Sequence, residues 1–300
     1  MRHEQIVIIG AGPAGCAAAA QCSRLGVPPL VIDMAGVAGG LAANAFSIEN
    51  YPGLAPTDGP TFAGLLQDHL DRFEITTEPG RVRAIDQTGD GFLIRGDLVD
   101  LRARAVILAV GTIPSRLDIP GADELMGRGL YYEVRDLVAR PPQTALIIGG
   151  GEAALDYSLT LARAGVSVKV IVRGEHLRAY GRLVTLVERE PVVEIEFHSE
   201  PRGVRRVEAG IALDVETPGG RVTRISDMVI AAIGRRSAAR DLTMNLDVDP
   251  LETVSTRLRG FYLAGDARTG SLGQAGMAVG DGLAAAMASV AFIRRREDTG

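Results

Sequence analysis

The sequence predicts an α/β protein of two three-layer domains, the second inserted into the first. Three observations carry this. A glycine-rich turn at 10–15 lies between an apolar strand and an Ala-rich helix, and a second turn of the same spacing follows at 149–154. Strand-and-turn segments of one kind, "RAVILAVGTIPSRLDIPGADE" and "GFYLAGDARTG", lie on either side of that second unit, and "SDMVIAAIGRRSAAR" is a weaker copy within it, ending at Gly234. This order assigns 1–115 and 241–300 to one discontinuous domain and 116–240 to the other.

The first unit reads "QIVIIGAGPAGCAAAAQCSRLGVPPLVID". Its strand, Ile6 to Ile9, runs into Gly10, Gly12 and Gly15, with Pro13 and Ala14 between the last two glycines. Gly10 permits the tight turn, Gly12 lets backbone approach a pyrophosphate, and Gly15 allows close helix–strand packing. The helix N-terminus then offers unpaired N–H groups and a positive dipole to phosphates. A second strand ends in Asp33, where a carboxylate can accept from a ribose hydroxyl. This is a Rossmann-like unit.

The second unit reads "TALIIGGGEAALDYSLTLARAGVSVKVIVR". Gly149, Gly151 and Ala154 repeat the spacing, and Glu152 and Ala153 open the helix. Its second strand ends in Arg173, where the first unit has an acid. A carboxylate there repels a 2′-phosphate, whereas an Arg binds one through a bidentate fork. Arg178 follows within a few residues, with His176 between the two. NADPH is therefore expected, with NADH still allowed. Two nucleotide units in one chain suggest a donor and an acceptor, such as nicotinamide passing hydride to flavin.

Composition narrows the remaining classes. Across 300 residues, 46% hydrophobic content and a net charge of −5 describe a soluble, well-cored chain, and the mild acidity argues against nucleic acid as a partner. The opening "MRHEQIVIIGAG" passes straight into a strand, so no signal peptide is expected. The longest apolar run near the C-terminus, "GLAAAMASVAFI", reads as too short to span a bilayer. No membrane association and a cytoplasmic location follow as expectations. Cys16 and Cys22 lie six apart on one helix, about 9 Å along it and about 240° around it. A bridge between them would unwind that helix, so both are read as small buried side chains.

Taken together, these motifs resemble the low-molecular-weight thioredoxin reductase family of two-domain flavoproteins over nearly the whole chain. The likeness rests on "GAGPAG", "AGGLAANAFSIENYPG", "GPTFAGLLQDHLDRF", "AVGTIPSRLDIPG", "GRGLYY", "GGGEAALD" and "FYLAGDARTG". The resemblance implies FAD on the first unit, NADPH on the inserted one, and a homodimer. It implies that Asp33 contacts the FAD ribose, that Gly39, Gly40 and Leu41 lie near the flavin, and that Asn50 helps to wall the ring. Gly111 and Gly265 are turn positions of the same site. Asp266 is implied to accept from the ribitol chain, with Gln274 and Ala275 opening the last helix beside the flavin pyrimidine.

The departures from the family pattern bear on function. Members that reduce disulfides carry Cys-x-x-Cys and an Asp shortly after "GRG", where this chain reads "YYEVRDLVAR". Glu133 and Asp136 fall at about the cysteine positions, or Asp136 matches the Asp if the alignment slips by one. No thiol is left there to pass electrons to a protein disulfide. The family's paired-Arg 2′-phosphate motif is matched by Arg173 and Arg178, but Gly174 replaces its middle Arg.

Three functions remain open at this stage. In the first, FAD takes hydride from NADPH and passes it to an acceptor outside the chain: a quinone, oxygen, a small molecule or a ferredoxin. Thioredoxin-reductase-type ferredoxin–NADP reductases resemble "GLYYEVRDL", and an acidic ferredoxin would need a basic rim. Arg202, Arg205, Arg206, Arg221, Arg224, Arg235, Arg236 and Arg294 to Arg296 are available for one. In the second, the chain is an oxidase or dehydrogenase of a small-molecule substrate with a vestigial NAD(P) site, and Glu133, Asp136, Tyr131 or Tyr132 supplies an acid–base group. In the third, it is a non-catalytic flavin-binding protein. The connectors "GTIPSRLDIPG" and "GRRSAARDL" read as hinges.

Overall fold

Side chains alternate across a strand, and in the strand Arg2–Ile9 both faces are apolar. Ile6 and Ile8 enter one core cluster while Val7 and Ile9 enter another, the pattern of a sheet covered on both sides. The computed structural model that shows this describes residues 1–97, 99–134, 137, 139–179, 181–246, 248, 253–270 and 273–297. The chain divides into two compact units. The first comprises Met1–Ala43, Ile48–Ile113 and Arg235–Gly300; the second comprises Asn44–Ser47 and Pro114–Gly234.

In the first unit, Arg2–Ile9 pairs in parallel with Leu30–Asp33 on one side and Val99–Leu108 on the other. Thr77–Pro79 extends the sheet beyond Leu30–Asp33. The C-terminal end of Val99–Leu108 takes Phe261–Leu263 in parallel, and its first half takes the antiparallel hairpin of Phe92–Asp97 and Arg81–Gln87. Phe92 and Phe261 meet edge to face at 5.4 Å in the core on that side.

The opposite face is covered by two helices, Pro13–Arg24 and Ala275–Glu297. Their small residues let them approach closely: a Cβ on Gly282 would stand 2.1 Å from the Ala14 carbonyl oxygen. Cys16 and Cys22 lie on the first of these helices and are buried. The last helix is longer than the apolar run that the sequence isolates. Its segment Ala275–Arg295 is long and apolar enough to cross a membrane by length and composition. The extra turns come from "AGMAVGD", in which Asp281 is accommodated by pairing with Arg268. Ala278, Ala285, Ala286, Val290 and Ile293 are buried in the unit's own core.

The second unit has a five-stranded parallel sheet in the order Val193–Glu196, Ser167–Ile171, Thr144–Ile148, Met228–Ala231, Leu130–Tyr131. The helix Glu152–Arg163 packs on one face through Ala154, Tyr157 and Leu161. An antiparallel sheet of Glu200–Val207, Gly210–Thr217 and Gly220–Ser226 packs on the other through Val204, Ile211, Leu213 and Val215. The tetrapeptide Asn44–Ser47 belongs to this unit: Phe46 N donates to both Asp156 oxygens, and the Phe46 ring lies 4.1 Å under the Arg163 guanidinium.

The two connecting segments contain short strands, Thr112–Pro114 and Arg235–Ser237, that pair with each other. Arg235 adds bonds from its guanidinium to Thr112 Oγ1 and to the Thr112 carbonyl, both at 2.9 Å.

Candidate nucleotide sites

In the first glycine loop, the turn is set by Gly10 at φ +106°, where a Cβ would lie 2.3 Å from the Ala109 carbonyl oxygen. A Cβ on Gly15 would lie 1.8 Å from the Gly10 oxygen, so the helix can begin here only with glycine at that position. Gly12 is the N-cap, with no side chain bonding to the helix end and Pro13 as its first residue. A Cβ on Gly12 would meet only Gly40 Cα, at 3.9 Å. The helix end therefore keeps open space and free N–H groups, a cradle that fits a pyrophosphate.

The remaining residues expected at this site gather around that loop. Gly39 N donates to the Ala11 carbonyl at 2.9 Å, and a Cβ on Gly40 would lie 2.9 Å from Gly12 Cα. Leu41 follows in the helical turn Gly40–Asn44, with its side chain exposed. The Asp33 carboxylate accepts from Ala11 N at 2.9 Å and Ala35 N at 2.8 Å, which fixes it beside the loop. Gly265 packs against Ala14 and Ala278, and Ala275 opens the last helix directly after Gln274. The Asn50 side-chain amide donates to Gln274 Oε1 at 2.6 Å. Gly111 holds φ +65° at the turn after Val99–Leu108.

Asp266 lies against the Gly273 backbone, and burial holds its carboxyl above the usual carboxylate range, partly offset by Arg235. Asp281, which the motif reading passes over, accepts from Gly265 N at 3.1 Å and is held bidentately by Arg268. Its sequence signal is an acid between two glycines inside a long helix, a costly choice without a partner.

The second loop repeats the geometry with one change. Gly149 holds φ +137°, and a Cβ there would stand 2.2 Å from the Ala232 oxygen. Gly151 is an N-cap without a side-chain bond and with open space around it. The third position is Ala154, fully buried. Glu152 and Ala153, the first residues of the helix, are exposed. The strand that precedes Arg173 ends at Ile171, so Arg173 lies two residues beyond it rather than at its end. Arg173 and Arg178 are exposed, and Arg178 N donates to the Gly150 carbonyl at 2.6 Å, which fixes it beside the glycine loop.

The segment 131–133 is engaged within its own unit. Tyr132 is half-buried, and its hydroxyl oxygen accepts from Leu117 N at 2.9 Å. Glu133 Oε2 accepts from Asn44 Nδ2 and from the Tyr157 hydroxyl, each at 2.7 Å. Tyr131 lies in the last strand of the parallel sheet, and Asp136 lies outside the described residues.

A titratable group that sequence reasoning missed is Asp156. Burial pushes its carboxyl up to about 6, against the stabilising Phe46 amide. The same effect acts on the thiols. Burial raises Cys16 to about 12 and Cys22 to about 11, and Cys16 Sγ donates to the Ala11 carbonyl at 3.2 Å.

The anticipated basic rim is largely engaged in internal bonds. Arg202 pairs with Glu200, Arg205 with Asp214, Arg221 with Glu216, Arg224 with Glu196, and Arg236 with Asp241. Arg206 donates to the Arg128 carbonyl, Arg294 to that of Leu25, and Arg295 to that of Ala291. Carboxylates answer the charge of five of these arginines, two of them, Arg205 and Arg221, across paired strands.

Known proteins resemble this chain over nearly its whole length. The pattern of the family described as pyridine nucleotide-disulphide oxidoreductase matches residues 4–282. Thioredoxin reductase from Treponema pallidum is 31% identical over 301 residues, covering 96% of each chain. That from Bacillus subtilis is 28% identical over 304 residues, covering 98% of this chain and 96% of its own. The crystal structure of Lactococcus lactis thioredoxin reductase superposes with a TM-score of 0.88 at 27% identity, covering 97% of this chain and 99% of that one.

Proposed function

The chain belongs to the pyridine nucleotide-disulphide oxidoreductase family, and from that premise we infer that it passes reducing equivalents from NADPH through FAD to an acceptor outside the chain, using no disulfide of its own. It is an FAD-dependent NAD(P)H oxidoreductase, and its thioredoxin reductase relatives use FAD and NADPH. When bound, FAD supplies the two-electron chemistry between nicotinamide and acceptor.

We assign the flavin to the domain of 1–115 and 241–300, and the nicotinamide nucleotide to 116–240. In the first, the loop of Gly10, Gly12, Pro13, Ala14 and Gly15 turns its helix start towards a pyrophosphate, with Pro13, which has no N–H, as the first helical residue. Asp33 borders the ribose, and Asp266 and Gln274 border the flavin. In the second, the loop of Gly149 and Gly151 turns the helix start at Glu152 towards NADPH, and Arg173 and Arg178 meet the 2′-phosphate.

The observation that carries this reading is the pair of open, uncapped helix N-termini, joined to a sequence whose two cysteines are both buried on one helix. A vestigial nicotinamide site would not need to keep Gly149 and Gly151 in loop geometry, which weighs against the oxidase alternative.

Anaerobic mixing with NADPH tests it. Bleaching of the bound flavin, with no turnover in a thioredoxin-coupled disulfide assay, is the expected result. An unreduced flavin, or robust thioredoxin-dependent activity, would refute it.

A further inference from the structure

The turn after the strand Phe261–Leu263 is gripped at several points by residues outside it. Gly265, at φ +65°, opens the short helix Asp266–Thr269, and its carbonyl accepts from Arg268 N at 2.8 Å and Thr269 N at 3.0 Å. A Cβ on Gly265 would stand 3.0 Å from Ala14 Cβ and 3.2 Å from Ala278 Cβ, so the turn lies tight against both covering helices. Ser237 Oγ donates to the Ala267 carbonyl at 2.8 Å. Asp281 supplies the remaining grip. Its Oδ2 accepts from Gly265 N at 3.1 Å and from Arg268 Nε at 2.9 Å, and its Oδ1 accepts from Arg268 Nη2 at 2.8 Å. One carboxylate thus closes on a backbone amide before Asp266 and on a side chain after it.

Asp266 lies between these two points. Among the described residues no hydrogen bond holds its carboxylate, so the backbone of the turn sets where it points. The negative charge of Asp281 adds to the burial that holds the Asp266 carboxyl above the usual range.

Asp281 is a costly residue where it stands. It is the one charged residue between positions 275 and 293, and its side chain is only 14% exposed. A buried ion pair is a poor source of stability, and apolar residues of similar size often serve as well or better. An apolar residue could fill the space between the helix and Arg268. It could not give Gly265 N an acceptor aimed along the turn.

We propose that Asp281 is a positioning residue for the flavin, fixing the Gly265–Asp266 turn from the last helix so that the Asp266 carboxylate is held in place for the cofactor. This rests on the first unit being the flavin site.

The full chain, stripped of flavin, is titrated with FAD as wild type, Asp281→Ala, Asp281→Asn and the double variant Arg268→Met with Asp281→Leu. The Kd, the visible circular dichroism of the bound flavin and the melting temperature of the apoprotein are read in each. Asp281→Ala should weaken FAD about tenfold, the worth of one charge-assisted hydrogen bond, and change the flavin dichroism. Asp281→Asn keeps an acceptor for Gly265 N and should bind FAD within about threefold of wild type, with the wild-type dichroism. The double variant replaces the ion pair by an apolar one, so it should melt with the wild type yet still bind FAD about tenfold more weakly. It keeps the test decisive if Asp281→Ala does not fold. Wild-type affinity and dichroism in the double variant would make the pair a packing device and overturn the proposal. Equal losses in Asp281→Asn and Asp281→Ala would overturn it too. A wild-type chain that binds no FAD would sink the flavin reading, and this proposal with it.

Discussion

The Tyr157 hydroxyl and the Asn44 side-chain amide donate to the same oxygen, Oε2 of Glu133, each at 2.7 Å. This ties Glu133 to the helix Glu152–Arg163 and to the tetrapeptide Asn44–Ser47, and a structural role for it makes a prediction. Glu133→Ala removes the acceptor of both bonds and should destabilise the protein by about 1–3 kcal/mol. The rate of flavin reduction by NADPH should stay within about threefold of wild type. A fall of about a hundredfold in a folded variant would instead make Glu133 a general acid–base group.

Gly15→Ala places a methyl 1.8 Å from the Gly10 carbonyl oxygen. The loop must open to admit it, and the variant should purify without visible flavin absorbance, destabilised by about 3 kcal/mol. Ala154→Gly, at the matching position of the second loop, should cost only about 1 kcal/mol through helix propensity. Retention of full flavin content by Gly15→Ala would show that the first loop does not hold the cofactor.

Asp156 gives a pH dependence. Its folded-state carboxyl titrates near 6, above its ordinary value of 3.8, because burial disfavours the charge. Between those values the folded state keeps a proton that the unfolded state has released, so stability falls as pH rises through this window and levels off above it. Asp156→Asn removes that cost while keeping an acceptor for Phe46 N. Denaturant titrations should find it more stable than wild type by about 1–3 kcal/mol at pH 8, with the gap closing towards pH 4. A variant less stable at pH 8 would mean that the charged hydrogen bond outweighs the desolvation.

Much of the fold and the family was legible because the glycine loops have local causes. Gly10 and Gly149 must take positive φ, and Gly15 must admit a backbone oxygen; such demands leave a mark at fixed spacing. What escaped depends on partners distant in sequence. Arg205 and Asp214 meet only once two strands align as an antiparallel pair, so the partner of Arg205 is not visible in the run of Arg around it. The partner of Asp156 is Phe46, from 110 residues earlier, which no local pattern announces. The length of the last helix was hidden by Asp281, whose charge interrupts the apolar run although Arg268 answers it.

The central claim, electron flow without an internal disulfide, is tested most directly by an anaerobic NADPH titration of the flavin-loaded protein. The only thiols, Cys16 and Cys22, are buried and held protonated well above neutral pH. One molar equivalent of NADPH per bound FAD should therefore complete the bleaching, leaving no new reactive thiol. Consumption of two equivalents, with two thiols appearing, would reveal a redox disulfide and contradict the account.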